Sequence, residues 1–139
     1  MNYESVYQTL KTKLTALVPK AAVRLPNAKP ADPTALDIDV FVAEIDGNIH
    51  TEVETKHDVS INLLISVPES TGTERIHNIV SQIVAAFNPL NGGSFWTNER
   101  DYFVRIRSAG QKTPNISDNR YQINVRILAI IFTQPREEL

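Results

Sequence analysis

Histidine is the side chain best suited to acid–base and metal chemistry near neutral pH, and this chain has three, His50, His57 and His77. No two of them have the spacing of metal ligands on a single helix or strand. His57 shares the apolar face of a predicted strand, so a hydrogen-bonded and partly buried histidine is the better interpretation. His77 is expected on the solvent side of a helix. The histidines therefore predict no metal site.

Asp37 and Asp39 lie on one face of a predicted strand and resemble a pair of catalytic carboxylates. Such pairs perform acid–base work only where their surroundings separate their two pKa values. On the outer face of a sheet, ion pairs with Arg105, Arg107 or Arg126 explain the two acids better. We expect both acids to be structural.

Composition excludes further chemistry. The chain has no cysteine, which excludes disulfides, thiolate nucleophiles and cysteine metal sites. Its one glycine-rich turn, Asn91-Gly92-Gly93, lacks the lysine and the following helix of a phosphate-binding loop. The net charge of -2 gives no general attraction to nucleic acid or to an anionic membrane. We expect no catalytic residue, no metal and no cofactor.

Charged side chains of both signs fall on the predicted strands. Four are arginines that by themselves would suggest a nucleic-acid patch: Arg105, Arg107, Arg120 and Arg126. Four are acidic and lie on candidate strands of the same sheet: Asp37, Asp39, Glu52 and Glu54. A charge ladder between strands, or between subunits, explains this arrangement better than nucleic-acid binding does.

The elements that position these residues are organised around residues 52–68, EVETKHDVSINLLISVP. Its odd positions are largely apolar and its even positions largely polar, which predicts a strand with one wet face. Fully extended, it would span about 50 Å, against about 17–20 Å for a common strand. We expect residues 52–58 to bend or to project as a hairpin arm toward a partner, such as another copy of the chain.

Two amphipathic helices are predicted, at residues 3–18 and 70–87, because apolar residues recur there every three or four positions. Thr71 and Glu74 fit a capping box at the start of the second helix. Further strands are predicted at residues 21–25, 36–45, 94–97, 102–107 and 120–132, with loops at residues 26–35 and 108–119.

Asp46-Gly47-Asn48 is a tight-turn signal, so strands 36–45 and 52–67 should form a hairpin whose tip carries Asp46, Asn48 and His50. The order of elements predicts an α+β fold: a mostly antiparallel sheet with two helices packed on one face and a long projecting β-hairpin. A single domain should cover residues 1–139, with an exposed tail at residues 133–139.

The last strand is apolar on both faces near its end, because Leu128, Ile130 and Phe132 lie opposite an apolar inner face. Such a strand end must be covered twice, by the chain's own helices and by something else. With the arm and the charged strand faces, this predicts a ring in which one surface of a copy meets a different surface of the next.

The N-terminus has neither the basic and apolar regions of a signal peptide nor a membrane span. No other stretch approaches the roughly 20 apolar residues that a span requires. We expect a soluble, intracellular protein that does not bind membranes.

Several short motifs occur in a recognisable order: RLPNAKP after the first strand, LDIDVFVAEI, VPESTGTERIHNIVSQIVAAF into the second helix, and the final pair VRIRSAG and YQINVRILAII. In these motifs and in its order of elements, nearly the whole chain resembles the tail terminator proteins of tailed phages, the group that includes the minor tail protein U type. None of the motifs is a catalytic signature.

The resemblance implies a structural virion protein of the tail, assembled in the host cytoplasm. Members of this class form hexameric rings that cap the tail tube, stop its polymerisation and present a surface to head-completion proteins of the neck. The implied partners are further copies of the chain, the tail tube protein and a head-completion protein. DNA would pass through an acidic lumen without specific binding.

Under this hypothesis, contacts between subunits or with the tube fall on the whole arm, residues 46–58, on the end of the last strand and on three arginines. The residues are Asp46, Asn48, His50, Glu52, Glu54, Lys56, Leu128, Ile130, Phe132, Arg105, Arg107 and Arg126. Two alternatives stay open: another neck or tail-tube component, and a small α+β enzyme or ligand-binding domain with a site under the proline-rich loop.

Overall fold

The computed structural model describes residues 3–26, 36–45, 49–50, 55–68, 73–117 and 119–133. The helices along these residues are α1 (Glu4–Leu17) and α2 (Glu74–Ala86), followed by a 3-10 helix at Pro89–Asn91. The strands are β1 (Ala22–Arg24), β2 (Asp37–Glu44), β3 (Ile49–His50), β4 (Thr55–Pro68), β5 (Phe95–Trp96), β6 (Tyr102–Gln111), β7 (Asn115–Ser117) and β8 (Arg120–Thr133).

The strands form one sheet in the order β1-β2-β4-β8-β6-β5. β1 runs parallel to β2, and the other pairings are antiparallel. The centre of the sheet is the pair β4 and β8, which stay in register from Thr55 opposite Thr133 to Pro68 opposite Arg120. β3 joins the β2 side of β4, and β7 joins the β6 side of β8. The α+β prediction is confirmed.

Both helices pack on one face of the sheet, the inner face; the opposite face is the outer face. The core between them consists of aliphatic side chains with no exposed surface, including Val6, Leu10, Leu14, Ile61, Leu63, Ile76, Val80, Ile83, Ile123, Val125 and Ile127. Each fully buried leucine or isoleucine stabilises the fold by about 1.5–3 kcal/mol. The alternation predicted for β4 and β8 is confirmed, because their odd positions supply the inner face.

The start of α2 differs from the prediction. The helix begins at Glu74, and Thr73 at the cap position makes no side-chain capping hydrogen bond. Thr71, the residue expected to cap it, lies outside the described residues. The buried stripe of Ile76, Val80 and Ile83 holds this helix against the sheet.

The prediction of a polar loop over residues 108–119 is wrong. β6 continues to Gln111, and β7 forms at Asn115–Ser117. Both strands pair with β8, and a bulge at Arg107 shifts the register between Ile106 and Ser108. The long last strand offers a complete row of backbone partners, and these outweigh the polar composition of the segment.

The predicted antiparallel pairing of β2 with β4 is confirmed. The predicted tight turn at Asp46-Gly47-Asn48 lies outside the described residues. Ile49 and His50 pair with Lys56 and Thr55, so His50, expected at the loop tip, is part of β3.

The sequence predicts that residues 52–58 bend or project as a hairpin arm, and the structure describes residues 55–58 of this segment. Thr55 to Asp58 stay paired with Thr133 to Ile130 of β8. β8 is as long as β4, at 14 residues each, and covers this part of β4 by backbone pairing. Residues 52–54 lie outside the described residues.

Candidate interaction surface

The outer face carries an aromatic row near one end of the sheet, formed by Trp96 on β5, Phe103 on β6 and Phe132 on β8. The ring centroids of Trp96 and Phe103 are 5.1 Å apart, and those of Phe103 and Phe132 are 6.4 Å apart. Lys56 extends the row onto β4, with its ammonium 5.5 Å from the centroid of Phe132. All three rings are half-buried, so the row leaves apolar surface open to solvent.

Leu128 and Ile130 continue this apolar surface along β8. They and Phe132 are half-buried, whereas their inward neighbours Ile127 and Ile131 are fully buried. The helix α2 packs against the inner face of β8. The end of the last strand is thus apolar on both faces, and coverage of its outer side by another molecule stays a prediction.

Three exposed arginines border the apolar strip that Leu128, Ile130 and Phe132 form on the outer face. Arg105 lies beside Ile130, Arg107 is the residue added by the β6 bulge, and Arg126 lies two positions before Leu128. Arg126 donates from Nε to Ser60 Oγ at 3.4 Å. Among the residues that the structure describes, none of these arginines forms an ion pair.

The expected ion pairs between these arginines and Asp37 or Asp39 are therefore wrong. Both acids point to the outer face as predicted, but β4 and β8 separate β2 from β6. Asp39 pairs instead with Arg24 of the neighbouring β1, at 3.3 Å.

Asp37 is nearly fully buried and pairs with Arg120 at 3.3 Å. Arg120 also donates from Nε to Ser66 Oγ and from Nη2 to the Ser66 carbonyl, both at 3.1 Å. The guanidinium thus joins β8, β4 and β2 across three strands. An ion pair that is held this way is structural, because the Arg120 guanidinium directs these donors to groups within the sheet.

Four of the candidate contact residues, Asp46, Asn48, Glu52 and Glu54, lie outside the described residues. His50 is placed by its backbone alone, opposite Thr55. Lys56 is half-buried and lies against the aromatic row. The structure therefore brings Lys56, Phe132, Ile130 and Arg105 together on neighbouring strands.

His57 is buried on the inner face, as its position in the strand predicts, with 4% of its surface exposed. Its Nδ1 lies 3.2 Å from Glu44 Oε1, close enough for an ion pair but not aligned for a hydrogen bond. The same carboxylate oxygen accepts a hydrogen bond from the Tyr3 hydroxyl at 2.6 Å. This bond lowers the pKa of Glu44, and burial together with Glu44 raises the pKa of Tyr3.

His77 is not the solvated helix residue that the sequence predicts. It is half-buried, and its Nε2 lies 3.1 Å from the Tyr121 hydroxyl at the start of β8. The two rings meet edge to face, with centroids 5.9 Å apart. The pair fastens α2 to the sheet.

The glycine-rich turn serves packing. Gly92 adopts a φ of 72°, in the region that favours glycine. A Cβ at Gly93 would lie 2.8 Å from the backbone carbonyl of Phe87, too close for any other residue. The two glycines allow the chain to turn tightly against the end of α2.

Asp101, just before β6, holds the first turn of α1. Its carboxylate accepts hydrogen bonds from Thr97 Oγ1 at 2.5 Å and from Ser5 Oγ at 2.7 Å. Burial alone would raise the pKa of Asp101, but the bonds from Thr97 and Ser5 outweigh it and lower the pKa. Asp101 is a structural acid in this arrangement.

A groove of about 850 Å³ separates the end of α1 from α2. Apolar side chains of Leu17, Val18 and Ile79 form its floor, and Lys20 and Arg75 stand at its rim. This size falls in the range of small-molecule sites. The groove is the feature that best fits the ligand-binding alternative.

Within the described residues, no three histidine or acidic side chains are grouped closely enough to hold a metal ion. None of the helices described is both long and apolar enough to cross a membrane.

Sequence reasoning did not identify Trp96 and Phe103 as part of the surface. They lie on two separate strands whose pairing is not visible in the sequence. The available signal was the polar segment between these strands, TNERD, which is typical of a turn that joins the two strands of a hairpin.

A solved structure that carries a serial designation and no functional name has a similar fold. It superposes with a TM-score of 0.61, at 15% sequence identity, over 99% of this chain and 99% of the other. At this identity the similarity shows the fold alone. No protein-family model matches the chain, and no curated protein matches it.

Proposed function

We propose that this chain is a phage tail terminator: a structural protein whose copies form a hexameric ring on the tail tube. The ring would stop polymerisation of the tube and provide the surface for head-completion proteins. Its place would be the tail of the virion. The resemblance in motif order described above motivates this proposal, and no catalytic residue takes part in it.

The observation that supports the proposal best is the uncovered apolar strip of Leu128, Ile130 and Phe132 on the outer face. A monomer that keeps such a strip in water has a high tendency to associate, because contiguous apolar patches mark interaction sites. Exposed arginines border the strip, as polar rims border the apolar centres of many interfaces.

The distribution of charge favours contacts between two different surfaces of neighbouring copies. The arm segment is acidic by sequence, with Asp46, Glu52 and Glu54, while Arg105 and Arg107 lie on β6. Acidic and basic surfaces at different places on one chain favour contacts between unlike surfaces, and such contacts close into rings. A lumen lined by acidic side chains would let DNA pass without binding it.

The proposal is tested with the tail tube protein of the same phage, polymerised in vitro with and without this chain. We expect capped tubes of limited length when the chain is added, seen by electron microscopy. Six copies of a 15.6 kDa chain give a ring of about 94 kDa, which native mass spectrometry detects.

Ile130→Lys provides the matched variant, because it places a charge in the apolar strip without disturbing the inner core. Thr15→Lys, on the exposed side of α1, adds the same charge elsewhere and serves as the control. We expect Ile130→Lys to abolish capping and Thr15→Lys to retain it. Tubes that grow equally long with and without the wild-type chain would refute the proposal.

A further inference from the structure

The two sides of the sheet differ in how their free backbone groups are satisfied. On the β2 side, the Tyr7 hydroxyl accepts a hydrogen bond from Val42 N at 2.8 Å. The same hydroxyl donates a longer one, of 3.4 Å, to the Val42 carbonyl. A side chain here takes the place of a neighbouring strand. This edge is closed to further strand pairing at Val42.

On the opposite side of the sheet, only the first half of β6 has bonding partners for its outward backbone groups. Val104 lies opposite Phe95 of β5, and Ile106 N donates to Ser94 Oγ at 3.3 Å. Beyond the Arg107 bulge, Lys112 N bonds to the Asn124 carbonyl of β8 at 2.8 Å. Because bonding direction alternates along an antiparallel strand, Gln111 and Ala109 point their N–H and C=O groups away from β8.

Among the residues that the structure describes, no partner for these outward groups of Ala109 and Gln111 is found. The side chains along this stretch are small or exposed: Ser108, Ala109, Gly110 and Gln111. Residues 107–111, which we call the β6 edge, therefore form an open strand edge with space for another strand.

A second open edge lies on the other side of the sheet. β3 pairs with Lys56 and Thr55 of β4, and no described strand pairs with its outward side. β8 and β4 lie between β3 and the β6 edge. The molecule thus presents two different strand edges that face in opposite directions.

The charges around these two edges are complementary. Arg107 is the first residue of the β6 edge and Lys112 directly follows it; both are exposed and make no ion pair with any described residue. β3 is flanked in the sequence by Asp46, Glu52 and Glu54. Two copies of the β6 edge would bring like charges together, whereas β3 offers the opposite sign.

We propose that the β6 edge pairs with the β3 segment of a second copy of the chain, so that the sheets of neighbouring copies join edge to edge. The inference rests on the proposed ring and assigns its contact. Since the two edges are different surfaces, each copy can pair on both sides, and the chain of contacts can close into a ring.

Ala109→Pro tests the edge, because proline removes the outward N–H donor while the ladder to β8 does not use it. Ala109→Ser is the control, since it keeps the N–H at the same position. In sedimentation velocity with the full chain, we expect Ala109→Pro to weaken self-association about tenfold or more. Ala109→Ser should associate as the wild type does, and both variants should keep the wild-type circular dichroism.

A charge exchange tests whether β3 is the segment that pairs with the β6 edge, and it does not depend on the folding of the proline variant. Arg107→Glu with Lys112→Glu should weaken self-association, and adding Glu52→Lys with Glu54→Lys should restore it. Loss without restoration would overturn β3 as the occupant. Association of Ala109→Pro at wild-type strength would overturn the β6 edge itself.

The result is separable from the test of the proposed function. A wild-type chain that stays monomeric up to about 1 mM overturns edge pairing as the driving contact, although it could still cap tubes. A chain that pairs through the β6 edge but leaves tube length unchanged supports the contact and refutes the terminator role.

Discussion

Glu44 is the residue at which α1, β2 and β4 meet. Its carboxylate binds the Tyr3 hydroxyl and lies beside the buried ring of His57. The hydrogen bond from Tyr3 is the largest cause of the lowered pKa of Glu44; burial opposes it, and the His57 ring adds to it. The first turn of α1 is thereby held at the end of the sheet where β3 begins.

Tyr3→Phe should raise the pKa of Glu44 toward its ordinary value of 4.5, because the carboxylate loses the donor that favours its charged form. A side-chain carboxyl titration by NMR measures this. A pKa that is lower in the folded than in the unfolded chain adds stability above the ordinary pKa, and this is lost as pH falls through the folded pKa. In Tyr3→Phe, the free energy of unfolding should therefore fall less steeply as the pH is lowered into the acid range.

Tyr7→Phe is the control for this prediction. It removes the hydroxyl that closes the β2 edge at Val42 and leaves the bond between Tyr3 and Glu44 in place. The pKa of Glu44 should not change in this variant. Equal pKa values of Glu44 in the wild type and in Tyr3→Phe would show that the tyrosine does not control this carboxylate.

The burial of His57 could be predicted from the sequence, whereas its partner could not. Alternation within one strand fixes the face on which a side chain lies. Glu44 reaches His57 because of the β2–β4 register, in which Glu44 lies opposite Val59. The same limit explains why Asp37 and Asp39 were assigned to the wrong arginines.

At the scale of elements, α1 is fastened to both sides of the sheet. Tyr3 and Tyr7 bind the end of β2, while Ser5, Thr9 and Thr12 bind the turn between β5 and β6. β2 and β5 lie on opposite sides of the β4–β8 pair. A single helix therefore fixes the spacing of the two sides at this end of the sheet.

Thr9→Val tests this fastening. The buried Thr9 hydroxyl donates to the Ser5 carbonyl and accepts a hydrogen bond from Asn98 N, both at 2.8 Å. Valine keeps the volume but leaves the Asn98 N–H without its acceptor, so we expect a loss of about 1–3 kcal/mol in the free energy of unfolding. Urea denaturation measures the loss, and the slope should stay unchanged.

Thr9→Ser keeps the hydroxyl and loses only a methyl group, so it should cost about 0.8 kcal/mol. If valine and serine destabilise the chain equally, the hydroxyl contributes nothing and α1 is held by its apolar stripe alone.

The elements that the sequence predicted best are those with a long apolar period. β4, β8 and the buried stripes of α1 and α2 all follow from regular spacing. The second half of β6 and β7 did not follow, because residues 108–117 are largely polar and become strands only through backbone pairing with β8. Tertiary pairing there overrides local composition.

At the scale of the whole molecule, apolar surface is distributed unequally. The inner face is sealed by two helices, while the outer face keeps the aromatic row, Leu128 and Ile130 at its surface. The sequence predicted this imbalance from the last strand alone, but not its extension to Trp96 and Phe103, which depends on the pairing of β5, β6 and β8. Under the proposed function, this surface would be covered by assembly.

Deleting residues 46–50 tests the contribution of the arm to that assembly. The deletion removes β3, while the pairing of β2 with β4 ends at Glu44 opposite Val59 and leaves the core intact. We expect a folded chain whose circular dichroism and unfolding match the wild type closely, since every side chain of the described core is kept. In the tube assay it should fail to limit tube length, because the acidic arm no longer reaches a neighbouring copy or the tube. Tubes of normal length with this variant would show that the arm takes no part in capping and would leave the apolar strip of β8 as the contact to test.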